Sequence, residues 1–331
     1  MRSRYLMAYS GLGLLLLAGM VISLGVGAVS LTPTDIWAVF KGQPVKASHA
    51  TIIWDFRLAR VLLVCLSGAS LAAAGAGFQG LFRNPLADPF IVGASSGAAL
   101  GATISVVFSD KIGMVIPIHI AGFFGALLAV LLVYTLAETS SYGSIAGLLL
   151  AGVAISTVLS ALASLLLLLN NEILAGIFAW LQGGFSGRSW SHLRQTTLIA
   201  VTGITILAAM SRPLDALGAG EESAESLGLN LRQTRLIIVI GASLATAAAV
   251  GAGGIIGFIG LIAPHLARPL FGAKHARLIP ASMLIGAILL LLADNIARTI
   301  MSPIELPVGF FTALLGGPFF LILLRTGGKR Q

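Results

Sequence analysis

The sequence is short of charge and cysteine, and it lacks the motifs of metal-dependent enzymes. Only 10% of its 331 residues are charged, whereas soluble domains carry about a quarter, so a soluble protein is excluded. Cys65 is the single cysteine, which excludes an intrachain disulfide and a thiolate metal site. The five histidines form no i, i+4 pair and no HExxH motif, so no metal, cofactor or catalytic site is predicted.

The sequence also lacks the parts with which a transporter powers itself. It has no GxxxxGKS/T phosphate loop, because Gly327-Gly328-Lys329 has neither the upstream glycine nor a following Ser or Thr. An ion-coupled carrier keeps ionisable groups inside its spans. Here Asp294 is the main such group, and Arg298 follows one turn later, so a local ion pair is one explanation of both. The chain is therefore predicted not to be an enzyme, and transport through it would need an external motor.

Long apolar runs dominate what is present. The composition is 57% hydrophobic, and a run of about 20 apolar residues can cross the hydrocarbon core of a bilayer. The runs fall at about 7–29, 58–81, 89–107, 114–136, 144–168, 193–209, 235–254, 256–270, 278–300 and 306–325. The eighth is short and contains Pro264, so hydropathy alone predicts an all-α integral membrane protein with nine or ten spans.

The basic residues decide between nine and ten. The net charge is +8, but Lys and Arg are scattered at the ends of apolar runs, where they act as topology signals and not as a nucleic-acid surface. Both termini are basic, with Arg2 and Arg4 at one and Arg325, Lys329 and Arg330 at the other. Basic termini favour the cytoplasm, and two termini on one side require an even number of spans. About ten transmembrane helices are predicted.

Two polar stretches interrupt the apolar pattern. Residues 170–192 predict an outer loop containing a short helix at about 172–182, and residues 210–234 are the largest polar cytoplasmic segment. No shift in composition marks a second domain. We therefore expect one transmembrane domain over residues 1–331.

A polar, twice proline-broken turn lies directly between the second and third apolar runs. Its sequence is Arg83-Asn84-Pro85-Leu86-Ala87-Asp88-Pro89. At membrane depth such backbone is tolerated only where protein or a water-filled cavity surrounds it, because lipid cannot satisfy the freed amides. The turn therefore predicts a permeation pathway. Gly93, Gly97 and Gly101 follow at intervals of four, a spacing that favours close helix contact.

Residues 214–228 are the candidate docking element for a motor. Glu221 and Glu222 suit the positive N-terminus of a short helix, and Gly228 suits its C-terminal stop. Ala224 and Leu227 would form a small apolar face. A solvated loop with a cluster of charges is the alternative, and the residues alone do not separate the two.

Four ordered motifs together resemble the FecCD-type permease family, over about residues 10–326. They are the turn just described followed by Gly93, the segment Leu217 to Gly228, the run Gly257-Phe258-Ile259-Gly260-Leu261-Ile262-Ala263-Pro264-His265-Leu266-Ala267-Arg268, and Glu305-Leu306-Pro307-Val308-Gly309. One departure is Ala219, where the family usually has Leu before the glycine.

The resemblance implies the architecture of a type II ABC importer permease, with ten helices per subunit and a pathway between two permease copies, identical or paralogous. Family members are membrane subunits of importers for iron(III)-siderophores, haem and cobalamin. The implied partners are two cytoplasmic ATP-binding-cassette ATPase subunits and a periplasmic or lipid-anchored substrate-binding protein. The implied location is the cell inner or plasma membrane, crossed several times with both termini in the cytoplasm.

The resemblance also implies roles for individual residues. The ATPase contacts are Gly220, Glu221, Ala224, Leu227 and Gly228. The inner gate is formed by Asn84 and Leu86, with Ser140 and Ser141 as a second layer. The docking site for the binding protein consists of Arg57, Arg60 and Arg298. An ordinary turn is the alternative for the two serines, and snorkelling at the membrane interface is the alternative for the arginines.

An iron(III)-siderophore complex is the expected cargo. Cobalamin, haem or an oxyanion such as molybdate is the alternative within the same architecture. An ion-coupled secondary transporter is the alternative of a different class.

Overall fold

Helices make up the regular structure of the described residues. A computed structural model of the chain describes residues 2–43, 46–112, 116–139, 145–170 and 174–327. The helices are α1 (Arg2–Gly25), α2 (Pro33–Phe40), α3 (Ala47–Thr51), α4 (Ala59–Leu81), α5 (Ala94–Ile112), α6 (Ile118–Thr139), α7 (Ile145–Leu168), α8 (Leu174–Leu181), α9 (Trp190–Ala209), α10 (Ser211–Gly218), α11 (Glu221–Ser226), α12 (Leu231–Gly253), α13 (Ile259–Phe271), α14 (His275–Thr299) and α15 (Val308–Gly327). A π-helical turn, Ile52–Leu58, joins α3 to α4, and a 3-10 turn, Pro89–Val92, precedes α5.

The predicted all-α membrane architecture is confirmed, whereas the count of ten spans is approximate. Among the described residues, six helices are long and apolar enough to cross a membrane, or seven if α9 and α10, bent by 50°, form one span. The apolar parts of α5 and α15 are shorter. Helix α13 has 13 residues, which at 1.5 Å each is about 20 Å, less than the roughly 30 Å of a hydrocarbon core.

Helix α4 is the centre of the bundle, in contact with α9, α12, α13 and α14. Small residues allow these close approaches. A Cβ added to Gly75 would lie 1.9 Å from the carbonyl oxygen of Gly260 in α13, and one added to Gly68 would lie 2.4 Å from that of Gly286 in α14. Backbone-to-backbone contact of this kind stabilises helices in a membrane, where no hydrophobic effect drives them together.

The second close pair is α5 with α6, as the glycine spacing predicts. A Cβ on Gly97 would lie 2.3 Å from the Gly125 carbonyl oxygen, and one on Gly101 would lie 2.3 Å from that of Ala121. Gly93 serves differently. Its φ of +92° ends the 3-10 turn in the left-handed conformation that glycine adopts without strain.

The bundle has two distinct ends. One, called here the α11 end, holds the C-terminus of α4, helices α10 and α11, and the N-termini of α12 and α14, which ion pairs hold together. The opposite end, called the α8 end, holds the N-terminus of α4, helix α8 and the C-termini of α12 and α14. Helix α8 lies within the polar segment 170–192.

Candidate functional site

The turn between α4 and α5 is held by its own polar side chains. Arg83 has a φ of +50°, unusual for a residue with a side chain. The Asn84 side-chain oxygen accepts from the backbone N–H of Leu86 at 2.9 Å. Asp88 accepts from the N–H of Phe90 at 2.9 Å and so caps the 3-10 turn. The two prolines break the helix, and these two side chains replace the lost backbone hydrogen bonds.

The turn begins at the surface of the α11 end and runs inward. Arg83 and Asn84 are exposed and Leu86 is partly buried, but Val92 is fully buried. Pro89 packs against Gly260, which also meets the Leu71 carbonyl in the middle of α4. Helices α4, α6, α7 and α12 contact the 3-10 turn. Protein therefore encloses this irregular backbone, as its position in a membrane requires.

Asp88 lies in this enclosed region. Burial raises the pKa of its carboxyl from 3.8 to about 6, although the hydrogen bond from the Phe90 N–H acts in the opposite direction. Asn84 and Leu86, predicted as the inner gate, lie on the turn near its exposed start. Ser140 and Ser141, predicted as a second layer of the gate, lie outside the described residues.

Helices α10 and α11 form a bent cap on the α11 end. Leu214 and Leu217 of α10 and Ala224 of α11 are buried, at 0%, 3% and 0% exposure. Gly220, with a φ of +120°, allows the break between the two helices, and Gly228, with a φ of +82°, follows the end of α11. The cap is thus packed against the bundle and is not a free loop.

A single carboxylate ties this cap to two other elements. Glu221 at the start of α11 binds Arg83 of the proline turn at 3.0 Å through one oxygen, and Arg235 of α12 at 2.7 Å through the other. In α10, one oxygen of Asp215 accepts from both the backbone N–H and the imidazole Nδ1 of His275, at 2.9 and 2.6 Å. The cap is therefore connected directly to the ends of α4, α12 and α14.

The expected apolar face of Ala224 and Leu227 is wrong. Ala224 is fully buried, whereas Leu227 is 72% exposed. Helix α11 ends at Ser226, so Leu227 turns away as the cap residue. The exposed side of the cap includes Leu227 and the acids Glu222 and Glu225. Both acids lie in the predicted docking segment 214–228, but the resemblance does not assign them as ATPase contacts.

At the α8 end, Arg57, Arg60 and Arg298 are buried and not displayed at the surface. Their exposures are 7%, 9% and 3%. Arg57 donates to the backbone carbonyls of Leu24, at 2.6 Å, and Val29.

The other two arginines share acidic partners. Arg60 binds Asp294 at 2.8 Å and Glu305 at 2.8 Å. Arg298 binds Asp294 at 3.1 Å and Ser23 Oγ at 2.6 Å. The local Asp294–Arg298 pair suggested by spacing is present, and it is part of a four-residue network.

A cavity of about 270 Å³ gives access to these arginines. Arg57, Arg60 and Arg298 line it together with Arg188 and Glu305. Glu305 belongs to the Glu-Leu-Pro-Val-Gly motif, but its partner Arg60 lies 245 positions away in sequence, so no local pattern predicts the pairing. A ligand reaching this cavity meets four guanidinium groups and one carboxylate.

Metal chemistry has no obvious site in the described residues, where no group of three or more His, Cys, Asp or Glu side chains could hold an ion. The arrangement instead provides packing contacts and electrostatic interactions. It consists of a packed cap with a charged surface at one end, an enclosed proline turn tied to that cap, and an arginine-lined cavity at the other end.

Comparisons with known proteins agree with one another. Residues 15–326 match the profile of the FecCD transport family. The chain is 43% identical over 281 residues to the cobalamin import system permease protein BtuC of Halobacterium salinarum, covering 85% of this chain and 75% of that protein. It is 39% identical over 329 residues to the hemin transport system permease protein HmuU of Yersinia pestis, covering 97% of each. It also resembles the inward-facing structure of a transporter assigned to the metal-chelate ABC type, with a TM-score of 0.82, 36% identity and coverage of 96% of this chain and 98% of the other.

Proposed function

Because the chain belongs to the FecCD transport family, we propose that it serves as the membrane-spanning permease subunit of an ATP-binding-cassette importer. In this proposal ATP is hydrolysed by separate subunits, and the chain converts their movement into opening and closing of a pathway. The α11 end faces the cytoplasm, both termini are cytoplasmic, and the membrane is the cell inner or plasma membrane.

The observation that carries the proposal is the double ion pair of Glu221. A motor that pushes on α11 displaces a carboxylate bound to Arg83, and Arg83 is the first residue of the enclosed proline turn. The buried contacts of Leu214, Leu217 and Ala224 keep the cap from deforming under that load. The ion pair of Glu221 with Arg83 is therefore the proposed link through which movement of α11 reaches the candidate gate at Asn84 and Leu86.

The motor subunits are proposed to contact the exposed side of the cap. Leu227 provides an exposed apolar side chain, and Glu222 and Glu225 provide negative charge. Gly220 and Gly228 frame the same surface with backbone that no side chain covers. Glu221 and Ala224 lie on the side of α11 that faces the bundle. Glu221 transmits the movement, and Ala224 anchors the helix.

The binding protein is proposed to dock at the α8 end over the arginine cavity. Acidic side chains of a partner would find Arg57, Arg60 and Arg298 within the cavity and would compete there with Glu305 for Arg60. Complementary charge of this kind contributes more to encounter rate and register than to affinity. Two permease copies and two ATPase subunits complete the assembly.

The cargo is proposed to be a metal chelate, with an iron(III)-siderophore complex as the specific candidate. The similar proteins are named for cobalamin and hemin, which are also large metal complexes, so those two cargoes and molybdate are the alternatives. An ion-coupled carrier is disfavoured by the state of Asp294, whose carboxylate is already paired with Arg60 and Arg298.

A competition assay with reconstituted transporter tests the cargo. The chain is reconstituted with its ATPase and binding protein, and uptake of a radioiron-labelled siderophore is measured alongside labelled cobalamin, haem and molybdate. Saturable, ATP-dependent uptake of the siderophore alone supports the proposal. If another of these cargoes is taken up instead, that cargo replaces the siderophore in the assignment. Failure to transport any cargo with ATP refutes the importer function.

A further inference from the structure

A second cavity, of about 350 Å³, lies at the α11 end between α4, α13 and α14. It is distinct from the arginine cavity, and none of the proposed roles uses it except that Arg83 and Asn84 reach its edge. Its walls carry three further basic side chains, His265, Arg268 and His275.

Buried polar atoms without partners are concentrated in this cavity. Arg268 has an unpartnered terminal guanidinium nitrogen, His265 an unpartnered Nδ1 and His275 an unpartnered Nε2, all among the described residues. His275 is itself 93% buried, since its exposure is 7%. Buried polar groups in native proteins almost always have a partner, and an exception calls for a ligand, an ion or water.

The charge balance of the cavity favours an anion. Arg83 is paired with Glu221, and the Nδ1 of His275 is hydrogen-bonded to Asp215. Arg268, which is only partly exposed, forms no ion pair within the described part of the chain. A cation withdrawn from water without a counterion is costly, and an anion in the cavity would remove that cost.

The chemistry of the donors favours phosphate over a carboxylate. The carboxylate of Asp215 accepts a hydrogen bond from the Nδ1–H of His275. Burial disfavours the protonated form of this imidazole, so its Nε2 donates only when an anion in the cavity stabilises the protonated ring. Arg268, His265 and His275 then present donors from three side chains. A tetrahedral phosphate offers an oxygen to each of them, and guanidinium groups suit phosphate geometry. The side-chain oxygen of Gln79, which also has no partner among the described residues, can take a hydrogen bond from a protonated phosphate oxygen.

We propose that this cavity binds a phosphate group, carried by an anionic lipid headgroup or by a soluble phosphate. Both sources can reach it. Exposed Asn84 and Pro85 line its edge on the aqueous side. Helix α13, which carries His265 and Arg268, also has the exposed apolar side chains Leu266 and Leu270, which suit contact with lipid.

The test compares two arginine variants of the purified full-length chain. Binding of radiolabelled orthophosphate is measured by equilibrium dialysis, and binding of phosphatidylglycerol by native mass spectrometry after delipidation. Whichever of the two probes binds the unmodified chain, Arg268→Gln is expected to weaken its binding by about tenfold or more, the effect of losing a charge-assisted hydrogen bond. Arg277→Gln is the matched control, because Arg277 stacks on Tyr5 and does not line the cavity.

The outcomes separate both the source and the proposal itself. Binding of orthophosphate alone assigns a soluble phosphate, and binding of phosphatidylglycerol alone assigns the lipid. If Arg268→Gln fails to fold, His265→Gln is compared with Arg277→Gln in the same way. The proposal is overturned if neither probe binds the unmodified chain saturably, or if the cavity variant and the control bind equally.

Discussion

The ion pair between Glu221 and Arg83 gives the sharpest prediction, because it is the proposed link between motor and gate. The change is Glu221→Gln, which keeps the size of the side chain and removes its charge. Arg83 and Glu221 are about 40% exposed, and Arg235 is 17% exposed. Solvent therefore screens both pairs, and each contributes only about 0.2–1 kcal/mol.

The consequences for folding and for transport therefore differ. A loss of about 0.4–2 kcal/mol for the two pairs together is small against a typical stability of about 5–15 kcal/mol, so the variant should fold and assemble. The same energy removed from a two-state gating equilibrium changes it by about 2- to 30-fold. We expect uptake per ATP hydrolysed to fall by that factor while ATP hydrolysis by the assembled complex persists.

The assay is uptake and ATP hydrolysis measured together in proteoliposomes, as a double-mutant cycle with Arg83→Gln. If one link carries the coupling, the double variant is no worse than either single variant. Arg212→Gln is the control, since Arg212 is exposed on the same cap and forms no ion pair among the described residues. Additive losses in the double variant, or an equal loss in the control, would refute the reasoning.

Three further predictions concern packing, pH and the buried arginines. Gly75→Ala should prevent a stable bundle from forming, because its Cβ would lie 1.9 Å from the Gly260 carbonyl oxygen, whereas Gly11→Ala meets nothing within 4 Å and should behave like the parent in size-exclusion chromatography. Asp88→Asn keeps the cap acceptor and removes the charge. Because the pKa of Asp88 is raised to about 6 in the folded protein, the parent loses stability as pH rises from about 4 to above 6. In thermal unfolding, the variant should therefore be more stable than the parent by about 1–3 kcal/mol at pH 8 and no more stable at pH 4. A stability difference that does not change with pH would contradict this. Arg60→Gln removes a cation from fully buried Asp294 and from Glu305, and should destabilise the chain by about 3 kcal/mol. An unchanged melting temperature would mean that the network does not stabilise the fold. Tests of docking at Arg60 need this measurement as a control, because a destabilised variant would also fail to dock.

The sequence predicts the helical membrane class and a close helix contact along α5, because both follow from local properties; the structure identifies the partner of α5 as α6. Apolar length identifies a span without reference to the rest of the chain. Gly97 and Gly101 form a small-residue face by spacing alone. That the proline turn avoids lipid also follows locally, since lipid cannot satisfy unpaired amides; whether protein or water surrounds the turn does not follow from local sequence.

The direction in which the site residues point could not be predicted in the same way. Helix α11 has six residues, which is too short for periodicity to show that Glu221 faces the bundle and Leu227 the solvent. The burial of Arg60 depends on Asp294 and Glu305, which lie 234 and 245 positions away. Partners this far away leave no trace in the local sequence. The sequence therefore predicts that the arginines form a docking surface, whereas the structure shows them buried.

The central claim is that the chain is a passive conduit driven by a separate ATPase, and one reconstitution tests it most directly. Cargo accumulation is measured in vesicles containing the chain alone and in vesicles containing the chain with its ATPase and binding protein, with ATP or a non-hydrolysable analogue. Accumulation against a gradient is predicted only with the ATPase and hydrolysable ATP. Uphill accumulation by the chain alone would contradict the account.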